Sequence, residues 1–123
     1  MTAGISVANA NAMLESLGDV YIQLHIGDPG ADGSSNVADL TVRELADLGS
    51  ASNAVRSLVT PVEWASGPWS GPAQTVTHVS GWSEATEGTF IFSAALSSHI
   101  DFAEGRRPRL TVLAVSIPSI AAD

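Results

Sequence analysis

The sequence contains no cysteine and no lysine. The first absence excludes disulfides, thiolate metal ligands and cysteine nucleophiles, and leaves the redox compartment open. The second leaves five arginines as the entire basic complement against 13 acidic residues, a formal charge of -8. A surface of that sign repels nucleic acid and anionic membranes, so neither is expected as a partner. No stretch approaches the roughly 18 consecutive apolar residues of a membrane span. The opening MTAGISVANANAMLES lacks the basic and apolar regions of a secretion signal, and a soluble chain is expected. Also missing are a GxSxG nucleophile elbow, a phosphate-binding loop, a dinucleotide fingerprint and paired catalytic carboxylates. The chain is therefore not expected to be an enzyme, and no cofactor or metal is expected.

At 123 residues the chain has the length of one domain, and it is read as a single domain over 1–123. Ser6 can cap a helix, after which Ala10, Met13, Leu14 and Leu17 recur at helical spacing until Gly18, predicting a helix over 5–18. From Val20 the period changes to two, with Val20, Ile22, Leu24 and Ile26 on one face and Tyr21, Gln23 and His25 on the other, predicting a half-buried strand. The stretch VADLTVRELADLGS fits one loose helical turn or an irregular arm. RSLVTPVEW, TVTHVSGW and GTFIFSAAL carry strand patterns, with Pro61 confined to an edge or bulge. RLTVLAVSI is apolar on both faces, as a central strand would be. Short strands parted by Gly, Pro and Ser turns predict an all-β sandwich or barrel with one short N-terminal helix, and it is taken as a single antiparallel β-sandwich of jelly-roll type over 20–122.

Chemistry-bearing residues are few. Asp28, Asp32, Gly33 and Asp39 fall at positions 1, 5, 6 and 12 of a calcium-loop register. Position 3 is Gly30, which has no side-chain oxygen, position 12 is Asp rather than Glu, and a strand leads in. An Asx-rich turn that caps its own backbone is the better reading. His25, His78 and His99 are far apart, and none has a spacing that projects two imidazoles together; His25 is read as a hydrogen-bonded surface or interface histidine. Arg106, Arg107 and Arg109 crowd three positive charges into EGRRPRL, a patch able to dock on an acidic surface of another subunit or of a second copy. Trp82 is read as core or platform, and Trp69, in the loop ASGPWSGPAQ, as an interface anchor. Trp69, Arg106, Arg107 and Arg109 form the candidate partner interface.

The order YIQLHIGDPGADGSSN, VRSLVTPVEW, VTHVSGWSEATEGTFIFSAAL and a C-terminal apolar strand resembles a family of small virion proteins of tailed phages infecting actinobacteria, described as minor tail or tail-fibre-like proteins. Leu24, His25, Gly27, Asp28, Pro29, Gly30, Gly33 and Asn36 carry one block of the likeness; Thr77, His78, Val79, Trp82, Gly88, Thr89 and Phe90 carry the other. Ile26, Gly81 and Glu84 depart from the family pattern, which has Thr, an aromatic and Asp at those places. The resemblance implies a non-enzymatic virion protein, assembled in the bacterial host cytoplasm, with other virion subunits as partners and homo-oligomers expected. A minor tail protein is the leading reading, a capsid decoration protein the second, and a carbohydrate-binding module using Trp69 and Trp82 the third. It also makes the 28–39 loop a fixed connector. Calorimetry is expected to show no micromolar calcium affinity at this loop; tight binding that disappears in Asp28→Ala would overturn that expectation.

Overall fold

The computed structural model describes residues 5–64 and 71–116. Trp69 and the C-terminal residues 117–123 lie outside them. Helix α1 (Val7–Glu15) is capped by Ser6, whose Oγ accepts the Asn9 N–H at 3.3 Å. It is shorter than the predicted 5–18, since Ser16 caps its C-terminus and the Gly18 N–H bonds back to the Glu15 carbonyl. Ala10 and Leu14 of its predicted stripe are buried, while Met13 is exposed.

Among the described residues eight strands follow: β1 (Val20–His25), β2 (Glu44–Leu48), β3 (Val55–Thr60), β4 (Val62–Glu63), β5 (Gln74–Trp82), β6 (Phe90–Phe102), β7 (Arg109–Leu110) and β8 (Ala114–Ser116). Six form one antiparallel sheet in the order β6-β5-β1-β2-β3-β8, and β4 pairs with β7 as a two-stranded ribbon. The sheet curls, and the fold is all-β and sandwich-like, as the sequence predicts. Val20, Ile22, Leu24, Ala46, Leu48, Val76 and Val79 of the sheet share one core with Val62, Trp64 and Leu110 on and beside the ribbon. Trp64 is the largest fully buried side chain among the described residues; its Nε1–H donates to the Val42 carbonyl at 2.8 Å and its main-chain N–H to that of Pro108 at 3.0 Å. Pro61 falls between β3 and β4, where its missing N–H interrupts no ladder.

Three expectations need correction. The 37–50 stretch is neither helical nor an arm, because Glu44–Leu48 forms β2 between β1 and β3. Ala46 and Leu48 alternate inward against exposed Leu45 and Asp47, and two flanking strands impose extended backbone on residues of poor strand propensity. RLTVLAVSI is not a central strand. It divides into β7 in the ribbon and β8 at the sheet edge, with Val112 between them 75% exposed, so its apolar run reflects two short pieces that face different neighbours. β1 is not half-buried: it lies inside the sheet, and Gln23 and His25 are buried along with the apolar face. Ile26 is left exposed because the chain has already left the strand.

Arg56 fastens the helix to this frame. Its Nη1 donates to the carbonyls of Leu14 and Gly18, and its Nε to that of Gly49, while Asn11 Oδ1 accepts the Ala54 N–H. These bonds occupy carbonyls that a helix end leaves open. Leu24→Ala, which empties a fully buried site on the central strand, is expected to cost about 2 to 5 kcal/mol in denaturant unfolding. An unchanged midpoint would remove that face from the core.

Candidate functional site

The two sequence blocks that carry the resemblance meet in space, at the end of β1 and along β5. Tyr21, Gln23 and His25 share a sheet face with Trp82, Ser80 and His78, their register partners on β5. His25 is at the centre and fully buried. Its Nδ1 lies 2.9 Å from the Ser35 carbonyl and its Nε2 2.7 Å from Ser80 Oγ. A carbonyl only accepts, so Nδ1 carries the proton and Nε2 of the neutral ring accepts from the Ser80 hydroxyl. Ser80 Oγ in turn accepts from Trp82 Nε1–H at 2.8 Å. The chain of bonds therefore has one direction, from Trp82 through Ser80 and His25 to the backbone of the 27–37 loop.

Burial holds the His25 imidazole below its ordinary range, the nearby His78 and Arg43 act in the same sense, and the Ser35 carbonyl opposes them. The expectation of a hydrogen-bonded histidine is met, but not its place on the surface, because the loop after β1 folds over it. Ser80 and His25 have the spacing of a nucleophile and its base. Both are closed to solvent, the third partner is a main-chain carbonyl rather than a carboxylate, and the serine oxygen already accepts the indole N–H. The pair fastens strands and loop together and presents no nucleophile.

Around it, Trp82 packs against Phe90 with centroids 5.4 Å apart, and the Arg43 guanidinium lies 4.0 Å from the centre of the Trp82 ring. Arg43 Nη1 donates to the carbonyls of Glu84 and Glu87 at 3.1 and 2.6 Å, closing the β5–β6 turn. Arg43 is the participant that sequence reasoning missed. It sits in a stretch whose strand character depends on tertiary pairing, and no local spacing marks it. Because Arg43 occupies a face of the Trp82 ring, that tryptophan is no open sugar platform.

The 27–37 loop is built as a self-capped turn. Asp28 Oδ1 accepts the Gly30 N–H, Asp32 Oδ1 accepts both the N–H and the hydroxyl of Ser34, and Asn36 Nδ2 donates to the Asp28 carbonyl. The Ser34 hydroxyl, with its N–H, lowers the Asp32 pKa. Gly33, at φ +74°, presses on Phe90: a Cβ there would meet the ring at 2.5 Å. Gly81 makes a similar approach to Phe92, whose ring an added Cβ would strike. Among the described residues no three His, Asp or Glu side chains are grouped to hold a metal.

Of the four predicted interface residues, Trp69 lies outside the described residues. Arg106, Arg107 and Arg109 are exposed on the β6–β7 turn and β7, elements that supply no residue to the His25 network. Arg107 Nη1 is 3.9 Å from Glu63 Oε1, an exposed contact worth little. Arg106 and Arg109 have no ion pair among the described residues.

Every buried side-chain nitrogen or oxygen among the described residues has a hydrogen-bond partner. Residues 5–117 match the family model described as Podophage GP4 fiber I protein gp80, and the chain belongs to that family. It is a phage virion structural protein related to tail fibres. No curated protein matches the chain.

Two outcomes test the site. A neutral buried histidine takes up a proton more readily unfolded than folded, so stability is full above the unfolded pKa near 6.5 and falls as pH drops below it. The melting temperature should fall between about pH 7.5 and 5.5, and the slope should flatten in His25→Asn. A slope that persists in the variant would place its origin elsewhere. Gly33→Ala should destabilise by about 1 to 3 kcal/mol, through left-handed backbone and collision with Phe90; a neutral result would contradict the packing of the loop on that ring.

Proposed function

We propose that the chain is a minor tail protein of a tailed phage of actinobacteria, a single folding unit over 1–123 that binds other virion subunits and itself forms homo-oligomers. The observation that carries this reading is the match to a fibre protein family over residues 5–117. The closed His25–Ser80–Trp82 network supports a mechanical role, since it ties the 27–37 loop to the sheet without leaving a reactive group open. Assembly in the host cytoplasm, before lysis, follows from that role.

The contacts with neighbours run through exposed surface. Arg106 and Arg109 are positive groups without an ion pair among the described residues, on a chain of charge -8, which suits them to acidic groups of an adjoining subunit. Trp69 is proposed as an apolar anchor of the same interface. Quantitative mass spectrometry of purified particles with gold labelling is expected to place a few copies at the tail. A copy number near that of the major capsid protein, with label over the head, would make it a decoration protein instead. Replacing Arg106, Arg107 and Arg109 together by Ser should leave folding unchanged and reduce incorporation into particles. Assembly of the native protein should weaken with salt and that of the variant should not. Normal incorporation of the variant at every salt concentration would remove the arginines from the interface.

A further inference from the structure

The strand β6 lies at one edge of the six-stranded sheet and ladders only with β5 among the described residues. Facing it across a cleft of about 480 Å³ is the segment 109–114. Two features of the cleft define what it can hold. Consecutive residues line it on both sides, 94–100 on one wall and 109–114 on the other. The face of a strand contributes alternate residues, whereas its edge contributes every residue, so the wall on the β6 side is the open edge of that strand; the other wall is β7, the irregular stretch 111–113 and the first residue of β8. β6 also carries four residues, Leu96, Ser97, Ser98 and His99, opposite Thr77 alone, between the pairs Val76–Ile100 and His78–Ala95. A bulge of this kind removes ladder partners on β6 where the cleft lies.

We propose that this cleft is a strand-addition site, filled in the virion by an extended arm of a neighbouring subunit that brings a carboxylate to Arg109. The inference rests on the reading of the chain as a virion component. An arm is required because a slot with two walls admits one free strand, while the edge of an intact sheet brings its own neighbouring strand with it. The bulge further prevents two copies of β6 from pairing along their length. Every strand of the described residues already has a ladder partner, so none is free to supply the arm. Residues 94–100 contain no Asp, Glu, Lys or Arg, which suits a desolvated main-chain pairing, and exposed Arg109 begins the opposite wall without an ion pair among the described residues. Its charge selects an acidic arm over the basic alternative.

Hydrogen exchange followed by mass spectrometry, on purified protein and on intact particles, tests the proposal. In particles, amides in 94–100 and 111–113 should exchange at least tenfold more slowly than in the free protein, with the core of β1 equally protected in both. Ser98→Pro, which distorts one wall and deletes an N–H, should lower incorporation while circular dichroism of the free protein is unchanged. Should it fail to fold, Arg109→Ser, at an exposed position, should weaken incorporation and Arg109→Lys should preserve it. Equal exchange of the two walls in free protein and particles would overturn the proposal. Protection already complete in the free protein would also overturn it, by showing that this chain fills its own cleft. If the protein is missing from particles, the proposed function itself fails, a result distinct from its presence there with unprotected walls.

Discussion

The fold depends on one buried imidazole. His25 donates to the Ser35 carbonyl and accepts from Ser80, so a single ring joins the central strand, its β5 neighbour and the loop that follows β1. Neither bond could be lost cheaply, since the ring is closed to water and an orphaned nitrogen there would bear the full desolvation penalty. The consequence extends outward. With Ser80 fixed by His25, the Trp82 indole is fixed by Ser80, and the ring so oriented supports Phe90 and Arg43. Arg43 then closes the turn between the two longest strands, while Gly33 lets the neighbouring loop lie directly on Phe90.

The five arginines divide between partly buried joints and exposed surface. Arg43 and Arg56 each bridge several main-chain carbonyls, a task for which a planar fork of donors is suited and a lysine ammonium is not. The other three stand on the β6–β7 turn and β7. An acidic surface and a localised basic group fit a protein that meets other subunits at defined places, which accords with membership of a phage fibre family.

Much of this was legible in the sequence. Ser6 marked the helix start, the period of two marked β1 and β5, and the Asp and Gly run marked a self-capped turn, because each signal is local. What escaped is set by contacts between distant segments. Glu44–Leu48 becomes a strand only between β1 and β3. The run from Arg109 onward looks central because apolar residues at an edge and in a ribbon give the same local pattern as a strand buried on both faces. His25 and Ser80 are 55 positions apart, and no spacing rule joins them. The blocks of the resemblance did identify both sides of the network, although not that they touch.

The claim that His25 is a neutral joint with its proton on Nδ1 is tested most directly by nitrogen NMR of the imidazole in the folded protein near pH 7. The account predicts a neutral ring protonated at Nδ1, with a slowly exchanging proton coupled across the bond to Ser35. A ring protonated at Nε2, or one already charged at that pH, would contradict it.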